Sequence, residues 1–460
     1  MAFVFRKQVI RMMWSVPFMV LVPLLTGCET ESYSKDLKYG LRTDPILLQV
    51  PTVEQLKLPD RPGQYPIMAV ATLTTPETIS DDDALYTMYK FYQTFDKDNK
   101  PQGLDQTKVL DLNDPKLLPP KLRRPIERAL DDLFGTPAAP VVQGSEIDAR
   151  LRSELQLDEV TLERGSRLYR INCLHCHGLT GDGRGQTSPW VNPHPRDYRR
   201  GNFKFVSSGQ PQGKQKPLRS DLMRSIKNGL DGSAMPAFNT LSETDLDAII
   251  SYVIHLSLRG ETEMQLLKEA IKANQEAKEA KRDLDFSPAD LGATYLTLYG
   301  QNWLEAQKAE LKPDDFPYDE NNFEEMRASI QRGREFFIDQ KNGCAKCHIN
   351  FGRDSGFRFD GWGTLGRPRD LTQGMYRGGR RPIDIYWRVA LGINSGGPGD
   401  MLAFRDPLKQ TPQEKEKKIN RLWDVVNFVR ILPYPAMREK YGINVEFENG
   451  LQPGYNLASK

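Results

Sequence analysis

Two segments of this 460-residue chain carry the same five-residue pattern, Cys173-Leu174-His175-Cys176-His177 and Cys344-Ala345-Lys346-Cys347-His348. Two cysteines three positions apart fit on one helical turn, and the histidine directly after them is fixed beneath whatever the thiols hold. A macrocycle with two vinyl groups suits that spacing. Each thiol forms a thioether bond, and the imidazole becomes the proximal ligand of the iron. Two other chemistries use Cys-x-x-Cys. A zinc site wants its two pairs about 15–20 residues apart, whereas 168 positions separate Cys176 from Cys344. A redox dithiol gives no reason for a histidine in the same place twice. The sequence therefore predicts two covalently bound haem c groups, one on Cys173, Cys176 and His177, the other on Cys344, Cys347 and His348.

A methionine follows each motif at similar distance. Gly232-Ser233-Ala234-Met235-Pro236-Ala237-Phe238 lies beyond the first, and Gly399-Asp400-Met401-Leu402-Ala403-Phe404 beyond the second. A thioether sulfur is a soft ligand that favours Fe(II). His/Met ligation raises the potential and closes the sixth position to substrates. A methionine more commonly fills a gap in a core, but the paired placement makes Met235 and Met401 the candidate sixth ligands.

The chain has 5 cysteines, and Cys28 alone lies outside the two motifs. It ends Leu24-Leu25-Thr26-Gly27-Cys28, after Arg6, Lys7, Arg11 and a 14-residue apolar run from Met12 to Leu25 that contains Pro17 and Pro23. A charged start, a short apolar stretch and small residues before a cysteine read as an export signal over 1–27. A spanning helix would need about 20 apolar residues. Export also agrees with the attachment of c-type haem outside the bacterial cytoplasm.

Residues that are 38% hydrophobic and 27% charged, with no second long apolar run, describe a globular body. The formal +2 charge falls to −1 once Arg6, Lys7 and Arg11 are removed. That balance gives no sign of nucleic-acid binding.

The landmarks around the motifs repeat in order. Val160, Leu162, Gly165, Leu168 and Tyr169 predict an amphipathic helix leading into Cys173, and Gly333 to Phe337 match Gly165 to Tyr169. Pro195-Arg196-Asp197-Tyr198 reappears as Pro368-Arg369-Asp370-Leu371. The stretch from Asp221 to Gly229 reappears from Asp384 to Gly392. A closing helix opened by Ser242, with Leu246, Ile249, Ile250 and Val253 on its buried face and Tyr252 alongside, reappears over 419–432 with Phe428 in the place of Tyr252. Four matched landmarks mean two copies of one module. Between them Glu261–Arg282 reads as an exposed linking helix with Met264, Leu267 and Ile271 on one face. Residues 29–142 are rich in proline and read as a partly ordered spacer. Within them Asp81-Asp82-Asp83 caps a helical pattern, and a short helix from Arg124 ends at Gly135. The divisions expected are 1–27 signal, 28–157 extension, 158–259 first module, 260–321 helical linker, 322–433 second module and 434–460 tail.

Each module resembles a class I c-type cytochrome: helix, Cys-x-x-Cys-His, loop, methionine loop, closing helix. The whole resembles a dihaem cytochrome c lipoprotein of a bacterial respiratory chain. The resemblance implies a mainly α fold, two tandem cytochrome c domains after a Pro-rich irregular extension. It implies lipidation of Cys28, because Leu25-Thr26-Gly27-Cys28 resembles a lipobox, and hence an exported protein lipid-anchored on the periplasmic or extracytoplasmic face. It further implies that Tyr252 and Phe428 pack across the first helix of each module. A proline carbonyl would orient each proximal histidine, with Pro189 or Pro193 the candidates in the first module and Pro368 in the second. Arg196 and Arg369 repeat, and a guanidinium matches a carboxylate fork, so both are candidate contacts to haem propionates. His175 is expected to face solvent, His194 is the weaker alternative to Met235, and His255 is expected to be structural.

The activity expected is electron transfer without a substrate, between a membrane-bound quinol-oxidising complex and a terminal oxidase or a soluble carrier such as another cytochrome or a cupredoxin. A dihaem peroxidase also carries two such motifs, but needs a haem whose distal position opens beside an acid–base group. The cytochrome subunit of a periplasmic dehydrogenase is the other alternative.

Overall fold

The computed structural model describes residues 32–44, 112–191, 193–211, 214–339, 341, 343–356, 367–393, 401–406 and 408–443, with the backbone of three short strand pairs besides. The expectations for the signal, for Cys28 and for Asp81–Asp83 lie outside the described residues.

The chain is mainly helical, and its principal helices in order are α1 Pro120–Phe134, α2 Asp148–Glu154, α3 Glu159–Asn172, α4 Arg219–Asn228, α5 Glu243–Glu279, α6 Pro288–Ala306, α7 Phe323–Ile338, α8 Pro382–Leu391 and α9 Arg421–Ile431. No helix among the described residues is long and apolar enough to cross a membrane. Two hydrophobic cores form. One gathers residues from Tyr39 to Leu304, the other from Leu311 to Ile443.

The same helix crossing organises both cores. The Asp158 carboxylate caps α3 by accepting from Thr161 N at 3.0 Å, and Asn322 caps α7 by accepting from Glu325 N at 3.2 Å. Gly165 lets α3 cross α5 closely, since a Cβ there would collide with the Ala248 carbonyl. Gly333 does the same for α7 on α9 against the Asp424 carbonyl. Four residues on, Tyr169 meets Tyr252 edge to face at 5.2 Å between centroids, and Phe337 meets Phe428 at 5.3 Å. Leu162, Gly165 and Tyr169 are buried as the pattern requires, whereas Val160 is exposed at the first turn.

Two expectations need correction. The closing helix of the first unit does not hand over to an exposed linker at 260. It continues as one 37-residue helix, and Arg259, Gly260, Glu261, Thr262, Glu263, Leu266, Leu267, Ala270 and Ile271 are buried along it. The covering surface comes from α1 and α6, so the region before 158 is part of the first core rather than a spacer beside it. Leu122, Ile126, Leu130, Leu133 and Phe134 of α1 lie in that core, and Asn274 Nδ2 donates to the Lys116 and Leu117 carbonyls at 3.1 and 3.0 Å. The charges that made this stretch look solvated are neutralised inside. Lys216 pairs with Glu261, Arg259 Nη1 with Glu263 at 3.2 Å, and Arg42 N donates to Glu263 at 2.6 Å.

The units also touch directly. Gly209 N donates to Ala309 O at 2.7 Å and Leu311 N to Ser207 O at 2.8 Å. Arg224 of α4 lies over the Trp387 ring of α8 at 4.9 Å, and Arg388 of α8 donates to the Lys204 carbonyl at 2.6 Å and to that of Val206.

Candidate haem centres

The two Cys-x-x-Cys-His motifs fold as one hydrogen-bonded turn each. His177 N donates to Cys173 O at 2.9 Å and Cys176 N to the same oxygen at 3.1 Å; His348 N and Cys347 N donate to Cys344 O at 2.8 and 3.1 Å. This turn puts both sulfurs and the following imidazole on adjoining positions. All four cysteines are free thiols, and burial pushes Cys173 and Cys344 up to about 12.

His177 Nδ1 lies 3.2 Å from Arg196 O, and His348 Nδ1 lies 3.0 Å from Arg369 O. A carbonyl only accepts, so Nδ1 carries the proton in each ring and Nε2 keeps its lone pair for a metal. Burial lowers the pKa of both imidazoles, that of His177 to about 4, so both rings stay neutral. The orienting carbonyl is therefore not that of a proline, as the resemblance implied through Pro189, Pro193 or Pro368. It belongs to the arginine after Pro195 and Pro368. The following aspartate explains why. Asp197 accepts from Arg199 N at 3.0 Å and Asp370 from Thr372 N at 2.9 Å, closing a tight turn that aims the preceding carbonyl at the ring.

The methionine loops also share one pattern. After the helix-ending glycines Gly229 and Gly392, at φ +69 and +68, Leu230 N donates to Met235 O at 3.2 Å and Ile393 N to Met401 O at 2.9 Å. Three residues past each methionine, Phe238 N reaches Ile226 O at 3.1 Å and Phe404 N reaches Val389 O at 2.9 Å. A side chain at either glycine would collide with the returning loop. Met235 and Met401 thus occupy the same hydrogen-bonded position, and both are half-buried.

Of the other histidines, His175 is exposed within its motif, and His194 is exposed with Nδ1 3.1 Å from Pro195 O. His255 is buried in the first core, with Nε2 2.9 Å from Phe134 O, stacked on Tyr252. Two contributors escaped the sequence reading. Tyr198 stacks on the His177 ring at 4.7 Å, where the second unit has Leu371. Arg377 has a buried Nε with no hydrogen-bond partner among the described residues. Burial and the charges of Arg369 and Arg196 push Arg377 down to about 10. Tyr198 could have been found from the Pro-Arg-Asp repeat; Arg377 carried no signal.

The donor set fits haem c: paired thiols on one turn, a neutral imidazole with its free nitrogen ready, a methionine on a fixed loop, and the Arg377 guanidinium with its buried Nε lacking a hydrogen-bond partner among the described residues. Residues 160–253 match the family model described as cytochrome c oxidase, cbb3-type, subunit III. No curated protein matches the chain. Among solved structures, a chain of the reducing HAO-like protein complex of Kuenenia stuttgartiensis aligns at 23% identity, covering 59% of this chain and 96% of that one, with a TM-score of 0.39, too low to bear on the arrangement of the units. The first motif and its loop, together with the family model that spans them, support a c-type cytochrome domain over residues 160–253.

Proposed function

We propose that the chain is a dihaem electron-transfer cytochrome, with a second class I domain around Cys344, Cys347 and His348 and a lipid anchor at Cys28. The reading rests on one observation above all. The second unit repeats the first bond for bond: the motif turn, the Nδ1-to-arginine carbonyl contact and the methionine-loop bonds. When bound, haem supplies a one-electron Fe(III)/Fe(II) couple. The chain's own work is to fix it. Cys173 and Cys176, and Cys344 and Cys347, would hold the two macrocycles through thioether bonds. His177 and His348 offer Nε2, held in orientation by the carbonyls of Arg196 and Arg369. Met235 and Met401 would supply the second protein ligand to each iron and leave no position for water or peroxide, which argues against a peroxidase. Arg196 keeps the propionate role expected from the sequence and Arg377 joins it; Arg369, expected there too, is withdrawn because its Nη2 and Nε donate to the carbonyls of Gly232 and Met375. The matched family is an oxidase subunit, which favours a membrane-bound oxidase as partner, supplied from a quinol-oxidising complex or a soluble carrier on the extracytoplasmic side.

Intact mass tests the composition: two haems and an acylated N-terminal Cys28 are expected. A redox titration tests the ligands. Met235→His should lower one midpoint strongly and leave the other nearly unmoved, and Met401→His should do the converse. Titrations unchanged by both substitutions would refute the assignment, and a five-coordinate high-spin signal with peroxide turnover in the half-reduced protein would replace electron transfer by peroxidase chemistry.

A further inference from the structure

One residue of the second unit reaches the methionine loop of the first. The Arg369 carbonyl accepts from His348 Nδ1 at 3.0 Å, while its guanidinium turns the other way. Nη2 donates to Gly232 O at 2.9 Å and to Asp231 O at 3.4 Å, and Nε to Met375 O at 3.0 Å. Gly232 lies in the turn that holds Met235. Ser233 N donates to Leu230 O at 3.1 Å, and Leu230 N to Met235 O at 3.2 Å. Gly232 has φ +67, and a Cβ there would collide with Arg369 Nη2, so the glycine is what admits the guanidinium. An unbroken run of hydrogen bonds therefore links the proximal histidine of one centre to the turn that carries the candidate distal ligand of the other.

We propose that Arg369 is a positioning residue that couples the two centres, clamping the Leu230–Met235 turn from the second unit. This rests on the dihaem reading above. A charged donor on a backbone carbonyl is among the stronger single hydrogen bonds in a protein. Its loss frees the turn and makes Met235 easier to displace from the metal. Because coupling is reciprocal, displacement of Met235 also relaxes the carbonyl that orients His348.

The test is a titration of the full-length ferric protein with imidazole, which competes with a methionine ligand. The phase belonging to the first centre is the one that Met235→His removes. Arg369→Ala should tighten imidazole binding in that phase roughly tenfold, although position 369 lies in the other unit. Arg369→Lys, which restores one donor, should recover part of the change. Gly232→Ala should reproduce it from the first unit, and the double variant should add little to either single one. Two haems by mass with an unmoved first phase in Arg369→Ala, or full additivity in the double variant, would overturn the coupling alone. One haem by mass would overturn the dihaem reading and the coupling with it.

Discussion

The first and second units solve the same packing problem with different chemistry. Where α3 crosses α5, the residue beside the glycine is Ala248, with the Tyr169–Tyr252 pair one turn further on. Where α7 crosses α9, the same place holds Asp424, 1% exposed, which accepts from Ser329 Oγ at 2.7 Å, Arg332 Nε at 2.8 Å and the Tyr318 hydroxyl. The first unit gains area instead, by taking α1, α2, α6 and the long end of α5 into its core. The second has a smaller core, and Phe351 enters it at φ +58, in the left-handed region, stacked on Phe337 at 5.7 Å. At this crossing the second unit places a saturated buried carboxylate, and the first unit an alanine.

The sharpest way to break this comparison is at the shared glycines. Gly165→Ala and Gly333→Ala each place a methyl group on a backbone carbonyl, and each should cost on the order of 3 kcal/mol or more. Thermal unfolding followed by far-UV circular dichroism should show Gly333→Ala splitting the transition, because the second core melts alone. Gly165→Ala should instead lower one large transition that includes α1 and α6. If both variants melt alike, the cores are not separate.

Acid should act mainly on the first unit. Burial lowers His255 from 6.5 to about 4, so the folded state resists a proton that the unfolded chain accepts. Its stabilising contribution is complete above pH 6.5 and falls away as pH drops towards 4, by roughly 2–3 kcal/mol at the limit. The carboxylates follow in the same direction at lower pH. Arg199 holds Asp44 and Asp197 below the usual carboxylate range against the opposing effect of burial, so their contribution is lost as pH falls through those depressed values. His348 is the second unit's sole histidine. Denaturant melts at pH 7 and 4.5 should therefore separate the units, and His255→Phe should flatten the first unit's response down to pH 4.5. An equal acid loss in both units would remove His255 from the account.

Asp424→Asn should destabilise the second unit by about 2 kcal/mol, since it leaves Arg332 and the Tyr318 hydroxyl with a neutral acceptor. Urea unfolding of the second transition measures it. Asp424→Ala, which imitates Ala248, should be worse rather than better, because Arg332 then loses its partner altogether. The smallest effect is expected at the proximal rings. Tyr198→Leu removes the stack on His177 and makes the first centre resemble the second, at about 1 kcal/mol. The first midpoint should move towards the second in a redox titration, and no movement would show the stack to be only packing.

Local geometry was legible in the sequence. Cysteines at i and i+3 with a histidine at i+4 dictate one turn, and Asp158, Ser242 and Asn322 dictate where helices begin. The spacing from Gly165 to Tyr169 and from Gly333 to Phe337 dictates which helix faces meet. These features rest on bonds between residues three or four apart, and a pattern of residue types is enough to specify them. What joins distant stretches was not legible. The chain itself could not say that an arginine carbonyl, 19 and 21 positions from its histidine, would be chosen over a proline's. Nor could it say that Glu261 and Glu263 would be buried against the Lys216 ammonium and the backbone amide of Arg42. Pairwise neutralisation turns residues that look like surface into core, and only the tertiary structure decides which charges meet. The same holds for Arg369. Its repeat with Arg196 was visible, but its reach to Gly232 exists only because the two units touch in space.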